Sequence, residues 1–118
     1  MPRFQALQAW QKAHELALEV YRLSQKLPPE ERYGLRGQMR RAAVSAAANI
    51  AEGRERGSDA DFGRFLSIAA GSVAELQYYL ILARDLGYLD DLEIQGVLAL
   101  AAETMRVIRA LQGSLGKP

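Results

Sequence analysis

With 118 residues, 49% of them apolar and 25% charged, the chain has the length and make-up of a single folded domain with a sizeable core, which argues against disorder. It contains no cysteine, so disulfide frameworks, thiolate zinc sites and cysteine nucleophiles are excluded. Its net charge of +1 lacks the clear basic excess of a protein that lives on phosphate backbone.

Four helical patterns follow one another with short connections, and no strand-like alternation interrupts them. The prolines (Pro2, Pro28, Pro29 and Pro118) all fall outside the periodic segments. The first helix is predicted over about residues 5–26. Ala9, Ala13, Leu16, Val20, Leu23 and Leu27 recur at spacings of four and three, the mark of an inward seam, which Leu7, Trp10, Ala17 and Tyr21 broaden. Pro28 and Pro29 end it, since a proline ring disfavours helix in the preceding residue.

The second helix is predicted over about residues 30–54, with Glu30 and Glu31 favourable at its positive end. From Ala42 to Ala51 only Ser45 and Asn49 are polar, so this helix has no obvious water-facing side. Its burial is therefore expected to extend beyond the core of one subunit, against something that approaches closely enough to meet alanine.

Gly53 and Gly57 bracket a charged break, and Ser58 with Asp61 resembles a capping box with a shortened acid. The third helix is predicted over about residues 59–86 and carries two seams. Phe62, Leu66, Ala69, Val73, Leu76, Leu80 and Ala83 form one; Phe65, Ile68, Tyr79, Leu82 and Leu86 form another, interrupted by Ser72 and Glu75. A second apolar seam again suggests contacts outside one bundle. Gly87 supplies a left-handed stop. Asp90 and Glu93 open the fourth helix, predicted over about residues 91–113 with a seam from Ile94 through Val97, Ala101, Thr104 and Ile108 to Leu111 and Leu115. Residues from Gly113 to Pro118 are expected to fray. Short connections make neighbouring helices antiparallel, so residues 1–118 are expected to form one all-α, up-down-up-down four-helix bundle.

Little catalytic chemistry is on offer. The sole histidine, His14, removes the paired Glu-x-x-His motifs of a di-iron bundle. Arg3, the only arginine before it, is too far upstream for an arginine–histidine ribonuclease motif. Ser45 has no nearby base in sequence. His14 reads as an edge histidine, and no catalytic residue, metal site, cofactor or small-molecule substrate is expected. The opening residues lack the apolar run of a secretory signal, and no uninterrupted apolar stretch nears the roughly 20 residues of a membrane span. A cytoplasmic protein with no membrane partner is the expectation.

Arg41, Ser45, Asn49 and Glu52, spaced by four, four and three, line one face of the second helix. Burying a charge alone is costly, so these groups are expected to meet Ser72 and Glu75 in one hydrogen-bonded network, with Arg41 and Glu75 as its charged members. Such a network would fix register and subunit geometry, as a buried asparagine does in a coiled coil. A ligand pocket at the subunit interface and an ordinary solvated stripe are the alternatives. Arg32, Arg36 and Arg40, continued at Arg41, form a basic row. It is either a solvated or salt-bridged face or a nucleic-acid contact, and Tyr33 is the only aromatic beside it in sequence. Charge is also polarised: residues 1–57 hold ten Lys or Arg against six Asp or Glu, and residues 58–118 hold five against eight. The halves can neutralise each other inside one bundle or between subunits.

The segments Glu31-Arg32-Tyr33-Gly34-Leu35, Gln38-Met39-Arg40-Arg41-Ala42-Ala43-Val44-Ser45 and Ala48-Asn49-Ile50-Ala51-Glu52-Gly53 resemble the signature of the bacterial four-helix-bundle proteins related to those encoded in 23S ribosomal RNA intervening sequences. Trp10-Gln11-Lys12-Ala13 and Leu86-Gly87-Tyr88-Leu89 fit the same pattern, and the likeness spans about residues 4–112. The resemblance implies a homopentameric ring and no established enzymatic activity. A more distant likeness is to the accessory variability proteins of diversity-generating retroelements, basic pentamers that associate with a reverse transcriptase and nucleic acid; the present chain departs from them in being nearly neutral. Self-association is thus the expected partnership, with nucleic acid or a nucleic-acid-processing protein as a further partner.

Overall fold

The computed structural model describes residues 2–116, which form four long α-helices: α1 (Gln8–Ser24), α2 (Leu35–Arg54), α3 (Asp59–Asp85) and α4 (Asp91–Ser114). Short 3-10 turns precede α1 at Arg3–Ala6 and α2 at Pro29–Glu31. Each helix packs on the next in chain order and α4 closes on α1, while the diagonal pairs stay apart. The result is an antiparallel up-down-up-down bundle with extents of 49 × 22 × 22 Å. The fraying expected from Gly113 to Pro118 falls in part on Lys117 and Pro118, which lie outside the described residues.

The seams face inward. Leu16, Val20, Leu66, Val73, Leu76, Leu80, Ile94 and Ile108 are fully buried against one another. Caps fix where the last two helices start: the Ser58 hydroxyl accepts from the Asp61 amide, and Asp90 and Glu93 form a complete capping box. Gly87, at φ +82°, makes the left-handed turn out of α3, after which the Tyr88 amide donates to the Ala83 carbonyl at 2.9 Å. The charge polarity of the sequence is neutralised partly within the chain, where Lys12 of α1 meets Glu103 of α4 at 2.8 Å and Lys26 meets Glu93 at 2.6 Å.

Two sequence expectations need correction. First, α2 starts at Leu35, not near residue 30. Pro28 holds extended backbone, Pro29–Glu31 closes a separate 3-10 turn, and Gly34 sits outside helical geometry at φ −98°, ψ −114°. Second, most of the alanine-rich stretch is buried inside a single chain. Ala42, Ala43, Ala46, Ala47 and Ile50 pack into the core, and only Val44 and Ala48 lie open on the outer line, with Val44 45% exposed. The doubled seam of α3 divides similarly: Phe65 and Ser72 are buried, while Ile68 and Leu86 are exposed.

Small side chains let α2 come close to its neighbours. The tightest point is Gly53, where an added Cβ would lie 2.6 Å from Phe65 Cβ and 3.0 Å from Phe62 Cδ1. Gly53→Ala should therefore pry the end of α2 from α3 and cost about 1–3 kcal/mol. Gly96 sits on the exposed side of α4 and a Cβ there meets nothing within 4 Å. Gly96→Ala should stabilise by up to about 1 kcal/mol through helix propensity. Urea denaturation of both variants checks the contrast, and an equal response at the two sites would show that close approach is not the constraint.

Candidate functional site

Two polar clusters and one apolar groove surround α2. On the α2/α3 side, the Ser45 and Ser72 hydroxyls lie 2.9 Å apart, and the Asn49 amide donates to the Ser45 carbonyl at 2.8 Å and to its hydroxyl at 3.0 Å. Ser72 is buried, and its hydroxyl also lies 3.2 Å from the Ile68 carbonyl. Three of the six residues expected to form the network are thus brought together. The charged members behave differently. Glu75 is exposed and accepts a hydrogen bond from Tyr79 at 3.1 Å, one helical turn on, instead of pairing with Arg41. Arg41 is exposed and has no carboxylate within ion-pair distance among the described residues. Glu52 turns away to Arg56, at 3.5 Å. Remaining in reach of solvent costs these charges less than desolvation would, so the network keeps a neutral centre and leaves its ions at the rim. Burial, then the Glu75 carboxylate, pushes the Tyr79 hydroxyl above its ordinary pKa, while the nearby Arg41 charge opposes the shift. Tyr79 was missed in the sequence because it reads as part of an apolar seam; its spacing of four from Glu75 was the available signal.

The basic row is also divided. Arg36 Nη2 donates to the Leu27 carbonyl at 2.6 Å, and Arg40 donates from Nε to the Ser24 hydroxyl at 2.8 Å and from Nη2 to the Tyr21 carbonyl at 3.3 Å. These acceptors belong to the last turn of α1 and the residues just after it, where unsatisfied carbonyls and the helix dipole both favour a cation. The Arg40 guanidinium also lies over the Tyr21 ring, 4.6 Å from its centroid. Arg32 makes none of these bonds and lies over the ring of Tyr33, which is 85% exposed. Tyr21 and Ser24 were invisible to the sequence reading as partners of this row, because helical spacing reveals a face and not what stands opposite it.

Glu31 stands just before the row in sequence. One of its carboxylate oxygens accepts from the Leu35 amide at 2.9 Å and the other from the Tyr88 hydroxyl at 2.9 Å. It caps the start of α2 and ties that start to the α3–α4 connection. The Leu35 amide first, and the Tyr88 hydroxyl second, hold the Glu31 carboxyl below its ordinary pKa.

The groove between α1 and α2 is apolar, with a volume of about 510 Å³. Trp10, His14, Leu18 and Tyr21 line its α1 wall, and Val44 and Ala48 its α2 wall. His14 stacks flat on Trp10 with centroids 4.8 Å apart, on a different side of α2 from the Ser45–Ser72 pair. Among the described residues, no three His, Asp or Glu side chains gather to hold a metal ion. By length and mean hydropathy, 1.4 over its best 18 residues, α3 is apolar enough to cross a membrane. In the bundle its buried seam is core, and Glu75 interrupts its outer face.

An antiparallel four-helix bundle with capped ends and a small-residue second helix is the class of protein these features define. The chain belongs to the 23S rRNA-intervening sequence protein family, whose sequence pattern matches residues 5–110. It is similar in fold to a crystallised protein of unknown function from the S23 ribosomal protein family of Bacteroides thetaiotaomicron, with a TM-score of 0.83 and 23% identity over 90% of this chain and 99% of that one. No curated protein matches the chain. Neither match is described by an enzymatic activity.

The depressed Glu31 carboxyl has a thermodynamic consequence with a definite sign. A carboxylate whose pKa is lower folded than unfolded adds stability above its unfolded pKa, and loses that contribution as pH falls through the folded value. Wild type should therefore exceed Glu31→Gln in stability by a margin that is fully present above the ordinary glutamate pKa and closes as pH falls below it. Denaturant midpoints on both sides of that pKa provide the check; a margin indifferent to pH would show that the charge of Glu31 contributes nothing.

Proposed function

We propose that the protein is a non-enzymatic, homo-oligomeric scaffold or adaptor of the cytoplasm, with α2 and α3 at the subunit interface and the α1 edge of the groove included. The carrying observation is the open apolar line beside α2: Leu18, 50% exposed, stands with Tyr21, Val44 and Ala48 on a surface flanked by half-buried Trp10. The outer side of α3 carries a second set in Ile68, Tyr78 and Ile81. Two unlike patches on one chain suit head-to-tail association, which closes into a ring when the rotation allows. The family resemblance supports five copies. The Ser45–Asn49–Ser72 cluster would then lie near the interface as a register device.

A second reading, an RNA- or DNA-binding accessory factor, is supported by Arg32 and Arg41, whose guanidiniums are not engaged by carboxylates among the described residues. Repetition around a ring would multiply weak contacts.

Light scattering on purified protein at tens of micromolar tests the main reading. The expected mass is several times the 13.0 kDa of one chain, with five copies as the favoured multiple. Val44→Asp and Leu18→Asp should each shift the population toward a folded monomer, because each places a charge where an apolar contact would form. A wild-type monomer at that concentration would overturn the scaffold.

A further inference from the structure

The end of the bundle where α1 stops and α2 starts holds a cavity of about 400 Å³, lined by Pro29, Arg32, Tyr33, Arg36 and Arg40. Three of its five lining residues are arginines and none is acidic. The nearest acids in sequence are spoken for or turned aside: Glu31 is bonded to Leu35 and Tyr88, and Glu30 does not line the cavity. None of the three guanidiniums has a carboxylate within ion-pair distance among the described residues. Carbonyls and a hydroxyl of the α1 end hold Arg36 and Arg40 in place, and these neutral partners leave both guanidiniums without a carboxylate counter-ion among the described residues. The Arg36 Nε is enclosed without a hydrogen-bond partner among the described residues, which leaves its guanidinium incompletely satisfied by them.

We propose that this cavity is an anion site that takes a phosphate group, with Arg32, Arg36 and Arg40 as its ligands and the exposed ring of Tyr33 at its mouth. Guanidinium pairs phosphate through parallel, charge-assisted hydrogen bonds, and it does so best when its orientation is already fixed. Arg36 and Arg40 meet that condition through their bonds to the α1 end. The Arg32 guanidinium rests over the Tyr33 ring with no hydrogen bond or ion pair among the described residues, and can close over the group. Tyr33 offers a face for a base or other planar moiety carried by the phosphate. The site goes beyond the scaffold reading, and it deepens the second reading by naming the group recognised without requiring a polymer. The group can come from a free phosphorylated compound or from a nucleic-acid strand.

The test is a titration of the full chain, followed by NMR of the arginine Nε–Hε signals, with inorganic phosphate, pyrophosphate, a mononucleotide and a single-stranded oligonucleotide, each against chloride at matched ionic strength. Saturable shifts at Arg36 and Arg40 with phosphate compounds and not with chloride are expected. Among the described residues Arg32→Ala removes no side-chain hydrogen bond or ion pair, only the contact with the exposed Tyr33 ring, so it should keep the fold and weaken binding roughly tenfold. Small anions that bind while the oligonucleotide gains nothing over the mononucleotide would support the cavity and overturn the nucleic-acid reading. Oligonucleotide that binds far more tightly, with loss on Arg32→Ala, would support both. Oligonucleotide binding untouched by Arg32→Ala, with phosphate and chloride acting alike, would overturn the cavity and leave nucleic-acid binding to another surface. No saturable shift with any probe would overturn both.

Discussion

The close approach of α2 to α3 is the constraint on which the rest of the structure depends. Ala43 and Ala46 have no exposed surface, and Gly53 leaves no room for even a methyl group beside Phe65. Alanine buries little area, so this helix pair gains less from each side chain than a leucine seam would. It gains instead from proximity, which puts the Ser45 and Ser72 hydroxyls within hydrogen-bond distance across the two helices. A polar pair of this kind is tolerable in a bundle only because each hydroxyl finds a partner without reaching for water.

The bundle ends are organised by a different principle, in which long side chains satisfy the backbone of another element. Arg36 and Arg40 stop α1 from α2, and Glu31 starts α2 while holding Tyr88 from the far connection. Residues that look like a solvated charge row in the sequence are therefore partly structural. The same bonds aim them: guanidiniums fastened on one side to carbonyls present their charge on the other. Structural capping and anion recognition are compatible uses of one side chain.

The fold was legible because its determinants are local and periodic. The four seams, the paired prolines, the Ser58 and Asp90 caps and the stop at Gly87 each act within a few residues, and each leaves a mark at fixed spacing. The start of α2 was not legible: Glu30 and Glu31 resemble a first helical turn, yet Glu31 acts from outside the helix through its side chain. The site was legible only in part. Spacing placed Ser45 and Asn49 on one face and singled out Ser72; it also offered Tyr79 to Glu75 and Arg56 to Glu52, four residues on in each case, but could not rank these local partners against the network across α2 and α3. Nor could it show Tyr21 and Ser24 beneath Arg40, since their spatial proximity comes from tertiary packing between helices.

The crowding beside α2 has a bearing on how such a chain can change. Enlarging Ala43 or Ala46 would force two helices apart, whereas Arg41, Val44 and Ala48 stand on the open line of the same helix, where volume and charge can vary at little cost to the bundle. One helix thus carries a frozen side and a permissive side. Diverging sequences can exchange what they recognise along the permissive side while inheriting an unaltered frame.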